Sequence, residues 1–120
     1  MKNKIARELK SEGVILFVMN IAFIIFIVGT CMNFRVIEEN KGMPVKTEEG
    51  YSFITDRHFS FHNDSEVRHP YLADRINLPG TIISFGDIFI YFSGGIFLFI
   101  VARNVSKLYG IYKKKRRKHR

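Results

Sequence analysis

Two long, mostly apolar blocks, Val14 to Phe34 and Thr81 to Ala102, constrain this 120-residue chain more than any other feature. They run for 21 and 22 residues, and about 20 apolar residues suffice to cross the hydrocarbon core of a bilayer. Most of the strongly apolar residues fall inside them. The 47% hydrophobic content is ordinary for a soluble domain, but its distribution excludes one, because the polar remainder is too poor in aliphatic residues to bury a core. The fold class this predicts is an all-α membrane protein, a two-span transmembrane helical hairpin with an external loop of about 46 residues, 35 to 80.

Charge orients the hairpin. Residues 1–13 carry Lys2, Lys4, Arg7 and Lys10 against Glu8 and Glu12, the middle segment is net acidic by two, and residues 103–120 carry nine Lys or Arg and no acid. Basic residues close to a span favour the cytoplasmic side. The chain therefore divides into a cytoplasmic segment 1–13, a first span 14–34, an extracytoplasmic loop 35–80, a second span 81–102 and a basic cytoplasmic tail 103–120. The expected location is the cell membrane, multi-pass, with both termini inside. In the first segment, Ile5, Ala6 and Leu9 recur at helical spacing among basic residues, which predicts a helix that starts on the membrane surface and turns in near Gly13.

The single Cys31 cannot form an intramolecular disulfide. Val28-Gly29-Thr30-Cys31 follows an apolar run much as a lipoprotein cleavage box does, but Thr is a poor residue before such a cysteine, and a buried thiol is the expectation.

The first helix is expected to run past the span to Asn40, where Lys41-Gly42-Met43-Pro44 breaks it, with Gly42 available for a left-handed cap. His58-Phe59-Ser60-Phe61-His62 alternates as a short strand or an extended stretch on the headgroups would, and the external segment is otherwise expected to be loosely structured. Asn63-Asp64 reads as a turn and Leu78-Pro79-Gly80 as the point of return. Ser84-Phe85-Gly86-Asp87 fits a capping box, which would start the regular helix at Phe85.

Asp87 is the one formal charge inside either block. An ionisable group in a membrane is a functional candidate by default, yet six residues from the block's edge it also suits the positive end of a helix. Depth matching in an antiparallel hairpin places Asp87 near Gly29 and Thr30, and Asn20 near Ser93, Gly94 and Gly95. It keeps Asn20 and Asp87 apart. Small residues opposite a polar side chain favour close helix approach. His58, His62 and His69, with Asp56, Asp64 and Glu66, are potential metal ligands whose spacing fits no standard zinc site, so neither a metal nor a cofactor is expected. Asn63-Asp64-Ser65 has the form of a glycosylation sequon. For Lys113, Lys114, Lys115, Arg116, Arg117 and Lys118, a tether to the membrane makes anionic headgroups the nearer ligand, and nucleic acid is not an expected partner.

Met32-Asn33-Phe34-Arg35-Val36-Ile37-Glu38-Glu39-Asn40-Lys41-Gly42-Met43-Pro44-Val45, followed by Leu72-Ala73-Asp74 and by Ser84-Phe85-Gly86-Asp87, resembles a family of uncharacterised bacterial integral membrane proteins, a domain of unknown function. In that family a span ends in Asn-x-x-Val-Ile-x-x-Asn-Gly-Gly-x-Met-Pro-Val, and a His-containing loop and Leu-x-Asp lead to Ser-x-Gly-Asp at the last span. Family members carry further spans before the first motif, so the resemblance is to their C-terminal half, and here Lys41 stands where the pattern has its first Gly. The resemblance supplies no activity. It implies that Asn33, Asn40, Gly42, Met43, Pro44, Asp74, Ser84, Gly86 and Asp87 form one external-face constellation.

The function expected on these grounds is non-enzymatic: a small membrane protein acting by association, as a homo-oligomer or as an accessory subunit of a larger membrane complex. The alternative is an oligomeric transport or ion-permeation component that uses Asp87.

Overall fold

The computed structural model describes residues 2–118. Helix α1 spans Lys2–Asn40 and helix α2 spans Phe85–Lys118, and between them lie strands β1 (Met43–Lys46), β2 (His58–Phe61), β3 (Ile76–Leu78) and β4 (Thr81–Ile83) with two short 3-10 turns. The two helices pack antiparallel. Glu12 of α1 meets Arg103 and Lys107 of α2 at one end, and Asn33 meets Asp87 at the other. The whole is a rod about 70 Å long, with residues 41–84 forming a cap on one end.

The seam between the helices repeats every seven residues. Ala22, Gly29 and Val36 of α1 and Gly86, Ser93 and Ile100 of α2 are buried. Sevenfold spacing is the signature of helices that wrap gently around each other, and four of those six residues are small, which brings the two backbones close. A Cβ on Gly29 would sit 2.7 Å from the Gly86 carbonyl oxygen, and one on Gly86 would sit 2.8 Å from the Gly29 carbonyl oxygen. The opposite faces are bare: Phe23, Phe92, Leu98 and Phe99 are all more than half exposed.

Helix α1 ends in a Schellman motif. The Gly42 amide donates to the Ile37 carbonyl at 3.1 Å, and the left-handed residue is Lys41, at φ 60°, rather than Gly42. The turn is thus made without a glycine at its strained position. Gly42 instead lets the start of β1 approach the backbone just before β2, since a Cβ there would lie 3.3 Å from the Arg57 carbonyl oxygen. Helix α1 also continues unbroken through Gly13.

The segment after α1 is a folded unit, contrary to the expected loose loop. Strand β1 pairs in parallel with β2, Met43 opposite His58 and Lys46 opposite Phe61. On its other side β1 is bridged to Asp74, whose amide donates to the Pro44 carbonyl and whose carbonyl accepts from the Lys46 amide. Met43, Pro44, Val45, Phe61 and Ala73 are buried, giving the cap a small core. Strands β3 and β4 form an antiparallel hairpin turned by Pro79-Gly80, with Gly80 at φ 81°, as a type II turn requires at its second central position. The Thr81 to Ile83 part of the second apolar block is therefore strand, and the helix begins at Phe85.

Candidate functional site at the junction of cap and helix pair

The start of α2 is fixed by the capping box. The Ser84 hydroxyl accepts from the Asp87 amide at 3.1 Å, and Asp87 Oδ2 accepts from the Ser84 amide at 3.0 Å. Asn33, on the same face of α1 as Gly29 and one turn further on, closes the network: its Nδ2 donates to Asp87 Oδ1 at 2.7 Å, and its Oδ1 accepts from the Ser84 hydroxyl at 2.9 Å. A Cβ on Gly86 would fall 2.0 Å from Asn33 Oδ1, so the glycine makes room for the network. Gly29 therefore lies beside this site, as depth matching indicates. Thr30 does not: it is exposed and its hydroxyl returns to the Phe26 carbonyl.

The second depth match brings no interhelical hydrogen bond. Asn20 is exposed and its amide donates to the Leu16 carbonyl of its own helix at 2.7 Å. Ser93 is fully buried and turns its hydroxyl to the Phe89 and Ile90 carbonyls. Neither Gly94 nor Gly95 has any atom within 4 Å of where a Cβ would stand. Self-satisfaction explains Asn20: a polar side chain can reach the carbonyl four residues back without crossing to the partner helix.

Asn40 works from the end of α1. Its Nδ2 donates to the Arg68 carbonyl at 2.9 Å and its Oδ1 accepts from the Arg68 amide at 2.8 Å, so one side-chain amide holds the loop as a strand would. The histidines are dispersed. His58 Nε2 lies 3.9 Å from Asp74 Oδ2, His69 Nε2 lies 3.0 Å from Glu39 Oε2, and His62 faces Thr47 through Nδ1 and the Ser52 hydroxyl through Nε2. Among the described residues no three His, Cys, Asp or Glu side chains gather as a metal site would require. The His69 imidazole and the Arg35 guanidinium hold the Glu39 carboxyl below its usual range, against the opposing effect of desolvation.

A family model described as a family of unknown function (DUF5317) matches residues 12–101. The chain belongs to this family. No curated protein and no solved structure matches it.

The DUF5317 match takes in α1 from Glu12, the whole cap and α2 as far as Val101, so it includes both the Asn33–Ser84–Asp87 network and the Asp74 bridge. Asp74 is the anomaly there. It is 6% exposed, its Oδ1 has no hydrogen-bond partner, and burial, with the Asp87 carboxylate as a further cause, raises its pKa from 3.8 to about 6. Outside the match, α2 continues as helix to Lys118, and Lys113 and Arg116 lie beside Tyr109 and Tyr112 along a shallow groove. Arg120 of the tail lies outside the described residues, and side chains are described through Arg117. Cys31 is exposed on α1, not buried.

Sequence reasoning missed two contacts. Depth matching pairs Asp87 with Gly29 and Thr30 and stops short of Asn33, which only the family resemblance groups with Asp87, although Asn33 shares the face of Gly29, four residues on. The clamp at the other end, where Glu12 accepts from Arg103 at 3.3 Å and is also bonded to Lys107, had its own signal: an acid just before the first span and two bases just after the second. Both contacts with basic side chains hold the Glu12 carboxyl below its usual range.

Proposed function

We propose that this DUF5317 chain is a two-span membrane protein with both termini on the cytoplasmic side and the cap outside, which acts by association with its own copies or with a larger membrane complex and not by catalysis. The membrane reading is supported by exposure: only 11% and 17% of the most apolar stretches of α1 and α2 are buried, whereas a soluble core helix would be mostly covered. A monomer in water rarely exposes contiguous apolar patches beyond several hundred Å². Lipid or another helix has to cover these faces.

The observation that carries association is the open space at Gly94 and Gly95. The hairpin meets at Gly29 and Gly86, and leaves these two glycines unused beside an apolar groove of about 500 Å³ between the helices, lined by Val18, Tyr91, Phe92, Gly95, Ile96 and Phe99 among others. Small residues on an exposed helix face allow another helix to come close. Ion permeation through Asp87 draws no such support, since both its oxygens already accept hydrogen bonds.

In this reading the tail meets anionic lipid. A core of about 30 Å takes about 20 helical residues, so counted from Phe85 a straight α2 leaves the core near Asn104 and carries Lys113 roughly 13 Å beyond it. Headgroup attraction at about 1 kcal/mol per base therefore requires α2 to tilt or bend toward the surface.

The experiment is affinity purification of the full chain in mild detergent followed by native mass spectrometry. A stoichiometric membrane partner or a defined homo-oligomer supports association. A monomer with nothing but lipid bound, at the concentration found in its native membrane, overturns it.

A further inference from the structure

Asp74 is the one described side chain with a buried polar atom left without a partner, and a buried unsatisfied group calls for a physical reason. Its backbone is tied to β1 by two hydrogen bonds, from its amide to the Pro44 carbonyl at 3.0 Å and from the Lys46 amide to its own carbonyl at 2.8 Å. The side chain is thus carried into the junction by the strand pairing.

The charged groups around it are few. From β2, His58 approaches Oδ2 at 3.9 Å. From the first turn of α2 comes Asp87, whose negative charge opposes a second one nearby. The bases closest in sequence turn elsewhere: Lys46 and Arg75 both pair with Asp64, at 3.3 and 3.6 Å. On α1, Glu39 is taken by Arg35 and His69, and Asn33 and Asn40 are neutral. Two carboxylates thus share the junction. One, Asp87, accepts hydrogen bonds from the Asn33 side-chain amide and the Ser84 backbone amide in the first turn of α2. The other has no donor on Oδ1 and no cation in hydrogen-bonding contact.

We infer that Asp74 is a proton-binding site that latches the Ala73-Asp74 segment onto β1 within the cap. With the proton bound, the Ala73-Asp74 segment sits beside Asp87 as a neutral group. When the proton leaves for solvent, the carboxylate is left buried beside a like charge, and the segment is driven off β1. This goes beyond the association reading and holds whichever surface faces outward.

Linkage gives the sign. A carboxyl whose folded pKa lies near 6 and whose unfolded value is 3.8 favours the docked state at low pH and loses that contribution as pH rises toward 6. Docking should weaken about tenfold between pH 5 and pH 7.

The test is hydrogen exchange of the Lys46 and Asp74 amides in the full chain in nanodiscs, as protection factors corrected for intrinsic exchange at each pH. Wild type should lose about tenfold protection from pH 5 to pH 7, Asp74→Asn should show no such step, and His58→Gln should keep it. A flat wild-type profile overturns the proposal, as does an unchanged step in Asp74→Asn or loss of the step in His58→Gln. Should Asp74→Asn not fold, infrared spectra of wild type decide: a carboxylic acid C=O band present at pH 5 and lost by pH 7 supports the latch, and no such band at pH 5 overturns it.

Discussion

Gly86→Ala is the sharpest test of the helix seam. The added Cβ would lie 2.0 Å from Asn33 Oδ1, 2.7 Å from Asn33 Cγ and 2.8 Å from the Gly29 carbonyl oxygen. The Asn33 side chain can swing away, but only by leaving Ser84 and Asp87, and the Gly29 backbone cannot swing at all. Overpacking of this kind costs about 1–3 kcal/mol. Two interhelical hydrogen bonds add roughly 0.6–1 kcal/mol each. Against these, exchanging Gly for Ala in a helix gains up to about 1 kcal/mol, less in the first turn where position 86 lies. The net expectation is a loss of about 3 kcal/mol, somewhat over a hundredfold in the folding equilibrium. Gly95→Ala is the matched control, with the same chemistry and nothing within 4 Å of the new methyl, so it should be neutral or stabilising by up to about 1 kcal/mol. Unfolding in mixed micelles, followed by energy transfer between dyes on α1 and α2, measures both. Equal shifts in the two variants would refute the close contact at Gly86.

Lys41→Gly should stabilise the end of α1 by roughly 0.5–1 kcal/mol, because Lys41 holds φ 60°; thermal unfolding reads the gain, and a loss would mean the Lys41 side chain matters more than its backbone. Asp87→Asn leaves one oxygen to accept and places an NH₂ against the Asn33 or Ser84 donor. A cost of about 1 kcal/mol follows, with any oligomer intact; loss of the oligomer without loss of stability would return Asp87 to a functional role. Replacing Lys113 to Lys118 with Gln should weaken binding to vesicles only when they contain anionic lipid, and equal loss on neutral vesicles would contradict a lipid-facing tail. A carbodiimide should couple the Glu12 carboxylate to the Lys107 amine as an amide, since the two side chains are in contact; absence of that cross-link would separate the helix ends.

The helices were legible because each contains a long block of almost wholly apolar residues, and the start of α2 because Ser84 and Asp87 are local partners three residues apart. The cap was not. Strand β1 holds only four residues, one of them Pro44, and its partner β2 begins at His58; a parallel pairing across such a gap leaves no mark in local periodicity. Pro44 reads as a breaker, yet in β1 its carbonyl, not its absent N–H, meets Asp74. The site was half visible. Asn33 and Asp87 were both singled out, but depth was counted to Gly29 and not one helical turn on. Asn20 misled because burial was assumed for a side chain that satisfies itself against Leu16. The sevenfold spacing of Ala22 to Gly29 and of Gly86 to Ser93 was readable, but periodicity in a span is masked when the faces outside the seam are equally apolar.

The two pairs of glycines should prove separable. Gly29 and Gly86 are used up where α1 crosses α2, while Gly94 and Gly95 face open space, and the rod is pinned beyond both by polar contacts, Glu12 with Arg103 and Lys107 at one end and Asn33 with Ser84 and Asp87 at the other. A hairpin fixed at both ends presents its side as a preformed surface, so little ordering is required when another helix docks. Gly95→Leu should then leave the isolated hairpin no less stable than wild type, with a gain of up to about 1 kcal/mol, while abolishing the partner or the homo-oligomer in native mass spectra, because a branched side chain fills the approach that glycine leaves open. Gly86→Ala should do the reverse, weakening the hairpin while the fraction that stays folded still associates. If Gly95→Leu leaves association untouched, these glycines face lipid alone, and the surface that recruits a partner has to be sought on the cap.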